Sequence, residues 1–151
     1  MDSAACAIRY SSQGQRRGVH FLYYPSLKWA NAFDEFEQLP DKVQFYFKTS
    51  FDYWNDYRFN SARFHRFDRS HKKGAYKDCF VFKNIQEKCR LYGFLSQPQF
   101  SGDVELCILV LFCQKKEDST DETMLKRINQ IRVRNDVIEA IGKFRKELRR
   151  S

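Results

Sequence analysis

The sequence predicts an α+β domain, a sheet layered with helices. Three observations carry that expectation. Apolar residues recur at helical spacing between positions 29 and 54, three strand-like runs lie between 77 and 113, and the chain ends in an amphipathic, basic stretch. A length of 151 residues suits one domain with a single core.

Residues 1–17 are small and polar and end in SSQGQRR, so a loose N-terminal arm is expected there, followed by one domain over 18–151. GVHFLYYP reads as a short aromatic strand closed by Pro25. From Ser26 the period changes: Trp29, Ala32, Phe33 and Phe36 fall on one helical face. Pro40 can open a second helix, and Val43, Tyr46, Phe47, Ser50, Phe51 and Trp54 continue the stripe. Two helices joined by a short turn form a helical hairpin. Its outer side, with Asp34, Glu35, Glu37, Asp41, Asp52 and Asp56, reads as a solvated acidic face.

Three strand-like runs follow a basic stretch: KDCFVFK, KCRLYGFL and VELCILVLFC. The third is almost wholly apolar, as a central strand covered on both faces should be. The reversals between them are short, which favours antiparallel pairing. Ser119, Thr120, Asp121 and Glu122 have the form of a capping box, so a helix is expected to start there and present Leu125, Ile128 and Ile131 inward. A last helix carries Val137, Ile141, Phe144 and Leu148 and ends in KFRKELRR, a basic extension that reads either as an RNA-binding surface or as a solvated helix.

A composition 42% hydrophobic and 17% aromatic excludes a disordered chain. The net charge of +8 favours an anionic partner, most simply nucleic acid. Five cysteines without CxxC spacing point to buried reduced thiols, hence to a reducing cytoplasm. No apolar run reaches membrane length, and the first fifteen residues lack the apolar core of a secretory signal. His20, His65 and His71 are scattered, and no metal or other cofactor is expected. There is no GxSxG, P-loop or GxGxxG motif.

What remains is cationic. Arg90 stands inside a strand-like run, where a charge must reach a sheet edge or find a partner. Lys83 ends the run before it, and Lys115 and Lys116 follow the apolar third run at once. Between positions 63 and 77, Arg63, Arg66, Arg69, Lys72, Lys73 and Lys77 are opposed only by Asp68.

These residues, in this order, resemble the RelE/HigB toxins of type II toxin–antitoxin systems, especially their phage-derived branch. The resemblance rests on the basic lead-in RFHRFDRSHKKGAYKDCFVFK, on EKCRLYGFL with Arg90, and on ILVLFCQKKEDSTDE with its double lysine. Roughly residues 19–134 are covered. It implies a RelE/ParE-like antiparallel sheet with an N-terminal helical hairpin and C-terminal helices. It also implies a metal-independent endoribonuclease that cleaves mRNA, often on the ribosome, until a cognate antitoxin protein blocks it. In that reading Arg90, Lys83, Lys115 and Lys116 are catalytic, and Arg63, Arg66, Arg69, Lys72, Lys73 and Lys77 grip the RNA backbone. Several relatives carry a histidine or tyrosine near the C-terminal edge of the site, whereas neither follows Lys116 here. The general acid is thus left open among His71, Tyr92 and a lysine. Two other functions fit the same residues: gyrase inhibition of the ParE kind, and nucleic-acid binding without catalysis, as in a phage accessory protein.

Overall fold

The computed structural model describes residues 5–67, 71–114 and 122–150. Their elements are β1 (Ala7–Gln13), β2 (Arg17–Tyr23), α1 (Ala32–Gln38), α2 (Asp41–Asn55), β3 (Phe64–Arg66), a 3-10 turn (His71–Gly74), β4 (Cys79–Asn84), β5 (Cys89–Ser96), β6 (Glu105–Gln114), α3 (Glu122–Arg132) and α4 (Asn135–Arg150). The strands form one sheet in the order β1-β2-β6-β5-β4-β3. β4, β5 and β6 pair antiparallel, and β2 lies parallel to β6. The α+β expectation holds, but the sheet is mixed rather than antiparallel. A strand returning beside β2 after the long α1–β5 excursion arrives in the same direction.

The helical hairpin also differs from its expected place: it is not N-terminal but follows two strands. Where composition suggests a loose arm, Ala7–Gln13 pairs with β2 and forms one edge of the sheet. Helix α1 starts at Ala32 rather than near Ser26. Trp29 lies in the turn before it and packs into the opposite core layer, under the Arg127 guanidinium at 5.5 Å.

Two cores sandwich the sheet. Alternation along each strand sends one set of side chains to α1 and α2 and the other to α3 and α4. The hairpin layer is aromatic: Phe21, Phe36, Phe47, Phe51 and Phe82 are all buried in it. Phe51 meets Phe82 edge-on at 4.9 Å between centroids. Such pairs contribute about 0.5–1.5 kcal/mol beyond area burial. The other layer gathers Val81, Tyr92, Ile108 and Val110 under Leu125, Ile128, Val137 and Ile141. β6 runs through both, and every residue from Leu106 to Leu111 is buried, so its unbroken apolar character has the expected cause.

Two details fix the sheet locally. Asn31 accepts the backbone N–H of Phe112 through Oδ1 at 2.9 Å, pinning the start of α1 to the end of β6. The β5–β6 ladder carries a bulge between Tyr92 and Gly93. There a Cβ on residue 93 would stand 2.1 Å from the Ile108 carbonyl oxygen, so only glycine allows this approach. No described helix is long and apolar enough to cross a membrane.

Candidate functional site

β4 and β5 turn back on each other through Ile85–Lys88, so their last paired residues share one end of the sheet. In that register Lys83 stands directly opposite Arg90, and Arg90 opposite Cys113 of β6. Phe82 and Leu91 belong to the hairpin core, so strand alternation turns Lys83 and Arg90 to the other face, the side of α3 and α4. Both are half-buried. Residues directly opposite in a sheet have Cβ atoms about 4.5–5.5 Å apart, so two cationic side chains leave the sheet side by side at this end.

Antiparallel pairing decides whether Lys83 and the double lysine share an end. Gln114 pairs with Cys89 and donates through Nε2 to the Glu87 carbonyl oxygen at 3.0 Å. β6 therefore delivers its C-terminus to the end that carries Lys83 and Arg90. Lys115 and Lys116 themselves lie outside the described residues, as do Arg69 and the Ser119–Asp121 part of the capping box.

The basic lead-in does not act as one surface. Arg63 is turned to the hairpin, on the far layer from Arg90. Its Nη1 donates to the Tyr46 carbonyl oxygen at 3.2 Å and to Ser50 Oγ at 2.9 Å, and its guanidinium lies 4.0 Å over the Tyr46 ring. This cation supports packing. Lys72 pairs with Glu122 at 3.1 Å, and Tyr76 donates to the same carboxylate at 3.4 Å. The bond from Lys72 holds the Glu122 carboxyl below its ordinary range, while burial and then Glu122 raise the Tyr76 phenol. Arg66, Lys73 and Lys77 remain exposed. Lys72 and Lys73 both hold left-handed backbone, with φ of 50° and 57°, a conformation that costs non-glycine residues free energy.

Of the residues left open as a general acid, Tyr92 is 1% exposed within the α3/α4 core, and the side chain of His71 lies outside what is described. Sequence reasoning passed over His65. β3 is only three residues long, and its signal was submerged in the surrounding arginines. Phe64 faces the hairpin core, so His65 alternates to the Lys83–Arg90 side, opposite Val81 and one diagonal step from Lys83. Its Nδ1 lies 2.9 Å from the Arg66 carbonyl oxygen.

The basic C-terminus is likewise divided. Arg145 is 2% exposed and its charge is consumed by Asp103. Lys143, Lys146, Arg149 and Arg150 face outward. Four cysteines are buried and Cys113 is half-buried; burial pushes the Cys79 thiol up to about 12, which suits inert core residues. Among the described residues no three His, Cys, Asp or Glu side chains are grouped to hold a metal.

Comparison with protein-family models, curated proteins and solved structures found no match.

Proposed function

We propose that this protein is an endoribonuclease of the RelE/HigB kind, the toxin of a toxin–antitoxin pair, which cleaves mRNA by attack of a ribose 2′-hydroxyl on the adjacent phosphate. The observation that carries the reading is the cross-strand pair Lys83–Arg90, at the sheet end where β6 finishes with Gln114, the residue before Lys115 and Lys116 in the sequence.

The chemistry needs a proton acceptor, a proton donor and positive charge where the phosphorane develops. Arg90 suits the last role, because its fork engages two phosphate oxygens at once. Lys83, beside it, brings an ammonium that can donate to the leaving 5′-oxygen. Lys115 and Lys116 would hold the scissile or neighbouring phosphate. The partners implied are mRNA, bound free or on the ribosome, and an acidic antitoxin segment that covers the cations.

Inducible expression in a bacterium of the wild type and of an Arg90→Ala/Lys115→Ala/Lys116→Ala variant tests this, with growth and mRNA integrity followed together. Growth arrest with mRNA fragmentation in the wild type alone is the expected result. Arrest with intact mRNA transfers the reading to gyrase inhibition. No effect from either protein refutes the toxin function and leaves salt-sensitive RNA binding as the property to measure.

A further inference from the structure

The ribonuclease reading lacks a proton acceptor, and the fold supplies one. Of the chain's three histidines, His20 is wholly buried on β2 between Gln13 and Ser11. His65, by contrast, is only partly buried and shares a sheet face with Lys83 and Arg90. Diagonal neighbours across paired strands have Cβ atoms about 7–8 Å apart, which sets His65 beside Lys83, with Arg90 one strand further along the same face.

The tautomer follows from the hydrogen bond. A backbone carbonyl can only accept, so Nδ1, 2.9 Å from the Arg66 oxygen, carries the proton. In the neutral ring the lone pair is then on Nε2, the nitrogen farther from the backbone. The T-shaped contact with Phe67, 5.3 Å between centroids, helps to hold the ring plane. Among the described residues, Lys83 of β4 and Arg90 of β5 share this side of the sheet with the Lys72–Glu122 and Arg132–Asp78 pairs of α3.

We propose that His65 is the general base of this site, an assignment that rests on the ribonuclease reading. Nε2 takes the proton of the 2′-hydroxyl as the 2′-oxygen bonds to phosphorus. The bond from phosphorus to the 5′-oxygen breaks, and Lys83 gives that oxygen a proton. The products are a 2′,3′-cyclic phosphate and a 5′-hydroxyl, after which the imidazolium and the lysine amine exchange protons with water. The reaction uses no oxidant and no further reactant.

The test uses the purified full chain, a chelator, and two substrates: a single-stranded RNA and mRNA-programmed ribosomes. Single-turnover cleavage is measured against pH for the wild type, Arg90→Ala, His65→Gln and His65→Ala, with thermal melting checked for each. The expected result is a loss of about 10²–10⁴-fold in His65→Gln with RNA affinity retained. The acid limb of the pH–rate profile should disappear, and free imidazole should restore part of the rate to His65→Ala. If the wild type cleaves and Arg90→Ala does not, while His65→Gln keeps the wild-type rate and profile, the assignment fails and the ribonuclease reading stands. A slowed His65→Gln that keeps the acid limb, together with an unrescued His65→Ala, also overturns it, because His65 then only positions other groups. If the wild type cleaves neither substrate, the ribonuclease reading falls and the role of His65 falls with it.

Discussion

Replacing Arg145 by methionine should cost this fold about 3–5 kcal/mol, the range for removing one partner of a buried ion pair. Arg145 and Asp103 have side chains 2% and 3% exposed, and Nη1 lies 3.0 Å from Asp103 Oδ2. The same nitrogen donates to the Val104 carbonyl oxygen at 2.6 Å. Nη2 donates to the carbonyl oxygens of Ser96 and Gln97 and to Ser96 Oγ, each at 3.0 Å. One side chain of α4 thus clamps the end of β5 to the loop that opens β6. Methionine fills much of the same volume, so the loss isolates the charge and its hydrogen bonds from packing. Asp103 would keep the backbone N–H groups of Gln99 and Val104 but lose its counter-ion in a dry site. Urea unfolding measures the effect. With a slope of about 2 kcal/mol per molar, the midpoint should fall by roughly 1.5–2.5 M. Removing both charges, in Arg145→Met with Asp103→Asn, should recover part of the loss, because a buried pair repays little more than its desolvation. Lys146→Ala, one residue away and exposed, should stay within about 0.5 kcal/mol. A loss below about 1 kcal/mol in Arg145→Met would refute the clamp.

His20 gives a pH dependence. Burial lowers its pKa from 6.5 to about 3, and Ser11 N–H and Gln13 hold the neutral ring between Tyr10 and Phe144. Between those values the unfolded chain binds a proton that the folded chain refuses. This contribution is therefore complete above about 6.5 and declines by about 1.4 kcal/mol per pH unit as acid is added, down to about 3. Urea midpoints at pH 7 and pH 5 for the wild type and His20→Gln should converge at the lower pH; parallel curves would exclude the mechanism. Gly93→Ala should cost about 3 kcal/mol, because its Cβ would meet Ile108 backbone that can yield only by parting β5 from β6. A thermal melt within 2 °C of the wild type would show that the bulge tolerates a side chain after all.

Much of the element list was legible because it rests on local periodicity. The stripe from Val43 to Trp54 became α2, and the apolar run from Leu106 to Leu111 became the buried part of β6. β1 and β3 were not legible for opposite reasons. AIRYSSQ lies at a sheet edge with most side chains half-buried, so it carries no alternation, while three residues of β3 are too few to show a period. Trp29 matched the helical stripe by spacing alone and packs in the other core.

The candidate site divides along the same line. By itself the sequence determined which side chains carry positive charge and that Arg90, inside a strand, needed a destination. It also determined that β6 had to be central, since a strand apolar on both faces is stable only when both are covered. Only the tertiary structure decided that Lys83 stands opposite Arg90, that Arg63 and Arg145 are consumed by Tyr46, Ser50 and Asp103, and that His65 shares a sheet face with Lys83. Periodicity records whether a residue meets a core or water. It holds no record of register or of which distant group pairs with a charge, and those depend on strands brought together from far apart in the chain.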